Sequence, residues 1–259
     1  MYPEERQQAI AARVLSQGRA SVAELAQAYD VTTETVRRDL AALDRAGLVR
    51  RVHGGAVPIR ALHVVEPGVD EREVTRADYK ESIARAAAEF LPLPGASVLF
   101  DAGTTTARVA GMLPPDRELV VVTNSVPIAA RLATMPSITL QLLGGRVRGL
   151  TQAAVGEQAL RALDTLRVDI AFIGTNGISV RHGLSTPDSD EAAVKRAMVR
   201  CANYVVVVAD SSKVGREEFV SFAPIGSVDA LVTDAEISAA DRKELSEHGV
   251  EVVLAGGEA

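Results

Sequence analysis

The chain has 259 residues, 47% of them hydrophobic, with 28 Lys and Arg against 34 Asp and Glu and a formal charge of -6. That composition excludes a disordered chain and fits one or two globular domains. The long uncharged run at residues 132–145 is broken by Pro136, Gly144 and Gly145, and no run reaches the roughly 18 to 20 apolar residues of a membrane span. The opening Met-Tyr-Pro-Glu-Glu-Arg lacks the basic and then apolar pattern of a secretory signal, so a cytoplasmic protein without a membrane partner is expected. One cysteine, Cys201, forms no internal disulfide and reads as a packed core thiol. Four scattered histidines offer no zinc spacing, and neither a metal nor a cofactor is expected.

The charge is unevenly placed. Residues 1–60 carry nine Arg against seven acidic groups, and between Val31 and Arg60 six Arg face only Glu34, Asp39 and Asp44. A small basic head therefore precedes an acidic body, a distribution that draws polyanions to the head and discourages them elsewhere. Every cation of the head is Arg, which suits bidentate contacts to phosphate or guanine.

Ile10, Val14 and Leu15 share one face of a helix over residues 4–17, closed by Gly18. Ser21 and Glu24 form a capping box for a second helix that runs to about Tyr29. After Asp30-Val31, Thr32 or Thr33 can cap a third helix with core residues Val36, Leu40 and Leu43, stopped by Gly47. At 100° per residue Arg38 and Arg45 lie opposite that core stripe, with Glu34 and Thr35 beside them and Arg37 on the flank. Two short helices joined by a tight turn, the second exposing Thr and Arg, suit major-groove reading; a small helical hairpin with a solvated face is the bland alternative. Residues 48–57 then alternate enough for a hairpin turning at Gly54-Gly55, with Arg50 and Arg51 available to phosphate.

The string Thr32-x-x-Thr35-Val36-Arg37-Arg38-Asp39-Leu40, preceded by Arg6, Ile10 and Val14 and followed by Leu48-Val49-Arg50-Arg51-Val52-His53-Gly54-Gly55-Ala56, resembles the winged helix-turn-helix of DeoR-type bacterial repressors. The resemblance implies that Thr33, Thr35, Arg37 and Arg38 face double-stranded operator DNA from the third helix. It makes Arg50, Arg51, His53 and Gly54 the wing. Asp39 is expected to hold a neighbouring Arg or a backbone amide, because a carboxylate aimed at phosphate would be repelled.

Residues 58–78, with Pro58, Pro67, Gly68 and the mixed-charge run Asp70-Glu71-Arg72-Glu73, read as a linker between a domain at 1–57 and another at 79–259. From Asp78 the positions Tyr79, Ile83, Ala86, Ala87 and Phe90 predict a helix that ends before Pro92 and carries Lys80. Buried-strand runs follow at residues 97–100, 119–122, 138–143, 169–173 and 204–208, with two more at 230–233 and 250–253. Apolar strands alternating with helices predict an α/β domain built on a parallel sheet, whose ligands bind at the carboxyl ends of the strands.

The loops at those ends share one chemistry. Asp101-Ala102-Gly103-Thr104-Thr105-Thr106, Thr123-Asn124-Ser125, Gly144-Gly145-Arg146, Gly174-Thr175-Asn176-Gly177 and Asp210-Ser211-Ser212-Lys213 bring small residues, hydroxyls and amides together. Gly103 lets backbone amides approach an anion, and the Thr hydroxyls can donate to phosphate. Arg146, Lys195 or Lys213 could neutralise phosphate, while Asp101, Asn124, Asn176 or Asp210 suit sugar hydroxyls. Turn chemistry alone explains any single loop; five together predict a sugar-phosphate site. Glu191 and Lys195, one helical turn apart, could instead be a surface pair.

From Lys80 to Leu254 these loops, with Leu184-Ser185-Thr186-Pro187, also resemble the second domain of DeoR-type repressors. That resemblance moves Lys80, Gly145, Glu191 and Lys195 to the pocket and implies a fold similar to ribose-5-phosphate isomerase and glucosamine-6-phosphate deaminase. Such an enzyme with a DNA-binding head is the rival reading. The loop at Gly174–Ile178 holds no acid or base for proton transfer, so binding without turnover is expected, with Asp101 and Asp210 as the remaining candidate bases. The expected function is a repressor, or an activator of the same architecture, acting as a dimeric or tetrameric homo-oligomer. The whole chain, particularly Thr-Gln-Ala-Ala-Val-Gly at residues 151–156 and the Leu-Ser-Thr-Pro segment, resembles actinobacterial repressors of fructose phosphotransferase operons, implying fructose 1-phosphate as effector, with fructose 1,6-bisphosphate or another sugar phosphate as the alternative.

Overall fold

A computed structural model describes residues 3–17, 20–45, 48–52, 55–58 and 68–256. The chain divides into two compact units, residues 1–66 and 67–259.

In the first unit the order is α1 (Pro3–Gln17), β1 (Ala20–Ser21), α2 (Val22–Tyr29), α3 (Thr33–Arg45), β2 (Val49–Val52) and β3 (Gly55–Pro58). Ile10 and Val14 of α1, Leu25 of α2, and Val36, Leu40 and Leu43 of α3 close over Val49 and Ala56 as one buried core. The capping box forms as expected: Glu24 N donates to Ser21 Oγ at 3.1 Å and Ser21 N to Glu24 Oε2 at 2.9 Å. Of the two cap candidates for α3 it is Thr32 whose Oγ1 accepts the Thr35 amide, at 3.2 Å. The strands form a three-stranded sheet in the order β1-β3-β2. β1 was not foreseen, because two residues carry no alternation. Its closeness to β3 explains Gly55, where a β-carbon would come within 2.3 Å of Ala20 O. Gly18, Gly47 and the hairpin tip at His53 and Gly54 lie outside the described residues.

The second unit runs α4 (Val69–Val74), α5 (Ala77–Ala87), β4 (Ser97–Phe100), α6 (Thr104–Ala110), β5 (Leu119–Thr123), α7 (Val126–Leu132), β6 (Ile138–Leu142), β7 (Arg146–Arg148), β8 (Ala153–Val155) and α8 (Glu157–Asp164). It continues with β9 (Val168–Ile173), β10 (Gly177–Ser179), β11 (Gly183–Thr186), α9 (Ser189–Cys201), β12 (Ala202–Val208), β13 (Val220–Ala223), β14 (Ala230–Asp234), α10 (Ala239–Glu247) and β15 (Glu251–Ala255). All seven predicted strands are present and form one sheet in the order β15-β14-β12-β9-β4-β5-β6, every pairing parallel. Two cores cover its faces, one including Leu99, Ala171 and Val207 with α8 and α9, the other Phe100, Phe172 and Val206 with α5 and α6. Cys201 is buried in the first, as expected.

Successive strands step outward from β4 to β5 and β6, then return to β9 on its other side. The order therefore reverses between β4 and β9, where the loops diverge and leave a crevice. Two features differ from the sequence reading. Residues 69–74 are helical and belong to the second unit, within a stretch whose composition suggested a linker; α4 is too short to show an apolar stripe. The Leu-Ser-Thr segment is β11, the middle strand of an antiparallel β10-β11-β13 sheet.

Candidate functional site

The outward side of α3 is polar. Glu34, Arg37 and Arg38 are exposed and Thr33 stands at its first turn, also exposed, while Thr35 is half-buried with its hydroxyl 2.9 Å from that of Thr32. Arg37 pairs with Glu34 at 3.4 Å, a surface contact that DNA can replace. Asp39 points inward, as its charge required: Arg6 Nε donates to its Oδ2 at 2.6 Å and Gln7 Nε2 to its Oδ1 at 3.0 Å. The hydrogen bond to Asp39 raises the Arg6 pKa above its ordinary value, against burial. This pair ties α1 to α3, and among the described side chains Arg37 and Arg38 are the cations of the exposed face; the Arg45 side chain lies outside the described ones. Arg50 and Arg51 lie on β2, the first strand of the hairpin.

In the second unit a cavity of about 280 Å³ opens at the carboxyl ends of β4, β9 and β12, three neighbouring strands. Gly103, Thr104, Thr105 and Thr106 line it after β4, Gly174, Thr175 and Asn176 after β9, and Asp210, Ser212, Lys213 and Arg216 after β12. Glu71, Arg72, Thr75, Arg76 and Lys80 complete the wall, giving five cationic side chains against two carboxylates. Thr106 Oγ1 donates to Gly103 O at 2.9 Å, and a β-carbon at Gly103 would crowd that hydroxyl at 3.0 Å. Asn176 Oδ1 accepts from Thr186 Oγ1 at 3.1 Å, which orients the amide nitrogen as a donor.

Lys80 is buried. Its Nζ donates to the carbonyls of Arg72 and Thr75, the latter at 2.7 Å. Burial lowers its pKa to about 8, with Asp210 and Glu73 raising it and Arg108 and Arg72 lowering it. Burial likewise pushes the Lys213 ammonium below its ordinary value. Two cations short of counter-charge in one cavity are an arrangement that an anionic ligand relieves.

Seven predicted site residues lie outside the cavity wall. Asp101 and Lys195 are buried beneath it and paired with each other; Lys195 Nζ also donates to Gly174 O at 2.9 Å and Asp101 Oδ2 accepts Gly174 N at 3.0 Å. Burial pushes the Asp101 carboxyl up while Lys195 draws it down. Glu191 does not pair with Lys195: it is buried against Arg148 and Thr151. Thr123 Oγ1 donates to Phe100 O at 2.7 Å, and Asn124 spans Ala102 N at 3.0 Å and Ala154 O at 3.2 Å. A β-carbon at Gly145 would stand 2.5 Å from Val155 O, and Arg146 is exposed and paired with Asp190 at 2.5 Å. For the four residues after β5 and β6 the physical reason is strand order: those strands lie on the far side of β4 from the crevice, and the β5 loop braces the β4 loop through Asn124. Asp101, Glu191 and Lys195 are instead taken up by buried ion pairs.

Sequence reasoning placed Thr175 and Ser212 in the site loops without singling them out, and it missed Glu71, Arg72, Thr75, Arg76 and Arg216. Four of them sit in the stretch read as a linker, where their only sequence signal was a mixed-charge run. Arg76 is held at φ 52° by stacking 3.9 Å above the Tyr79 ring and by ion pairs with Asp210, Asp234 and Glu236.

Comparison with known proteins matches residues 6–61 to the DeoR-like helix-turn-helix domain and residues 75–235 to the DeoR C terminal sensor domain. The chain belongs to the DeoR family. It is 40% identical to the HTH-type transcriptional regulator GlpR of Haloferax volcanii over 98% of each chain. It is 34% identical to the glycerol-3-phosphate regulon repressor of Escherichia coli, over 98% of this chain and 100% of that one. It is also 34% identical to a putative aga operon transcriptional repressor of Escherichia coli O157:H7, over 97% and 94%. Among solved structures, ribose 5-phosphate isomerase A of Methanocaldococcus jannaschii superposes with a TM-score of 0.40 at 19% identity, over 53% of this chain and 54% of its own. The sorbitol operon regulator SorC of Klebsiella pneumoniae gives 0.41 at 13% identity, over 87% and 94%. This DeoR-family chain is therefore a transcriptional regulator, with DNA and a small-molecule effector as its two partners. Among the described residues no helix is long and apolar enough to cross a membrane.

Proposed function

We propose that this regulator represses a sugar uptake and catabolism operon, binding operator half-sites as a dimer or tetramer and releasing them when a phosphorylated sugar enters the second unit. The observation that carries the reading is the cavity at the β4, β9 and β12 ends, small, polar and lined by five cations against two carboxylates. Its volume is just below the roughly 300–1,000 Å³ of ordinary ligand pockets, suiting a compact metabolite. Lys80 and Lys213 are the phosphate partners in this reading, with Thr104, Thr105 and Asn176 as donors to the remaining oxygens. On the DNA side, Thr33, Thr35, Arg37 and Arg38 enter the groove, and Arg50, Arg51, His53 and Gly54 form the wing that meets the backbone.

Fructose 1-phosphate heads the candidates on the resemblance of residues 151–156, and glycerol 3-phosphate follows because one relative is named for it. Release requires the effector to favour the arrangement that does not bind DNA; a tenfold preference supplies about 1.4 kcal/mol per site. The test is a mobility-shift assay on the chain's own upstream region, titrated with fructose 1-phosphate, fructose 1,6-bisphosphate, glycerol 3-phosphate and inorganic phosphate. Release by a phosphorylated sugar at a concentration where inorganic phosphate is inert supports the reading. Failure of every sugar phosphate to shift the complex, or conversion of any of them to product, overturns it.

A further inference from the structure

Three of the charged groups on the cavity wall, Glu71, Arg72 and Arg76, come from one stretch of chain at the start of the second unit. Through residues 59–68 the same stretch is covalently continuous with β3 of the DNA-binding unit. α4 has six residues, too few to persist on its own helical bonds. Outside the cavity Val69 N donates to Leu150 O at 3.0 Å and Arg108 pairs with Glu73 at 2.6 Å; at its carboxyl end side chains from the cavity hold it. Lys80 Nζ donates to the carbonyls of Arg72 and Thr75 at its carboxyl end. Arg76 anchors the next residue to Asp210, Asp234 and Glu236, keeping a left-handed conformation that an L-residue holds only when its surroundings over-determine it. Its Nε is buried and makes no hydrogen bond. On the opposite wall a β-carbon at Gly103 would lie 3.9 Å from Arg72 Nη2, so this guanidinium reaches the β4 loop. Residues 72–76 therefore bridge the β4 and β12 loops across the mouth of the crevice.

We propose that residues 71–76 contact a phosphomonoester ligand directly, with Arg72 and Arg76 on its phosphate, and that this contact carries the ligand's presence along the chain towards the DNA-binding unit. The proposal rests on the sugar-phosphate reading of the cavity. A phosphate oxygen among Lys80, Lys213 and Arg76 competes for the Lys80 N–H donors that now hold the Arg72 and Thr75 carbonyls, and it meets an Arg76 Nε that is ion-paired with Asp210 at 3.3 Å without a hydrogen bond. A bond between two ionised groups is stronger than one to a neutral carbonyl, so Lys80 turns to the ligand. α4 loses its anchor at Lys80 and gains one at the phosphate through Arg72 and Arg76. Two sets of partners for one segment are the two arrangements that a ligand can choose between.

Hydrogen–deuterium exchange on the unaltered full chain tests this without a substitution, using fructose 1-phosphate, glycerol 3-phosphate and inorganic phosphate as probes. A probe that binds is expected to change the exchange of amides 69–76 at least threefold. By equilibrium dialysis, Arg72→Gln and Arg76→Lys, the latter preserving the charge that Asp210 and Asp234 face, are each expected to weaken binding of that probe about tenfold. If the parent chain binds a probe and releases operator DNA while exchange at 69–76 is unchanged, the proposal fails and the sugar-phosphate reading stands. Parent affinity in both variants removes the direct contact in the same way. If the parent chain binds none of the probes, the reading of the cavity fails first and this inference with it.

Discussion

Asp101→Asn separates a ligand group from a buried support. The carboxylate is 1% exposed and its partner Lys195 5%, and after substitution the amide oxygen can still accept from the ammonium but carries no charge to offset it. Breaking one half of a buried ion pair costs about 3–5 kcal/mol, because the surviving charge stays desolvated. A unit of this size loses about 2–4 °C of melting temperature per kcal/mol, so the second unit is expected to melt roughly 6–20 °C lower. Adding Lys195→Met removes the stranded charge and fills similar volume, and most of the loss is expected to return. Circular dichroism melts of the parent, both single variants and the double variant measure the cycle. If Asp101→Asn melts within about a degree of the parent but loses effector binding, Asp101 is a ligand residue and the assignment made from its burial is wrong.

Lys80 gives a pH dependence. Its ammonium deprotonates at about 8 in the unliganded chain, so affinity for a phosphate dianion is expected to fall as pH rises through that value, and a flat profile by calorimetry would remove Lys80 from the site. Stability runs the other way. The unfolded chain holds the Lys80 proton up to about 10.5 and the folded chain releases it near 8, so this group's contribution to stability rises across that window. Arg38→Ala is expected to weaken operator binding by roughly 5- to 150-fold if the side chain reads a base, corresponding to about 1–3 kcal/mol. A uniform loss across sequences, with the salt dependence lowered by about one ion, would assign it to phosphate instead. Ser21→Ala removes the cap of α2 and is expected to cost the first unit about 1 kcal/mol, measured by denaturant unfolding; no change would show that the capping box contributes nothing.

Much of the molecule was legible from local chemistry. The capping box at Ser21 and Glu24 needs only a three-residue spacing, and the structure makes both of its bonds. The inward aim of Asp39 followed from its charge, since a carboxylate on the groove-facing side would repel phosphate; Arg6 is the partner it required. The central strands were visible because strands buried on both faces are continuous apolar runs; the edge strands β6 and β15 form where expected, but β6 is exposed or half-buried at every position instead of buried. Short pieces were not: β1 has two residues and α4 six, below the length at which either periodicity repeats.

The sequence by itself determined the two classes of unit, the three helices of the first and the seven strands of the second unit's sheet, and the chemistry of the loops at that sheet's carboxyl edge. It did not determine which of those loops meet. That depends on β9 pairing with β4 on the side away from β5, a long-range choice set by how helices pack on the two faces of the sheet. The choice places Gly103, Asn176 and Lys213 around one cavity and sends Asn124 and Gly145 behind it. It also places Lys80 and Arg76 on the cavity wall, because α5 and the residues before it pack where the β12 and β14 loops end, a contact between positions more than a hundred residues apart. Hydrophobic periodicity reports the environment of each residue along the chain and is silent about which distant segment provides it.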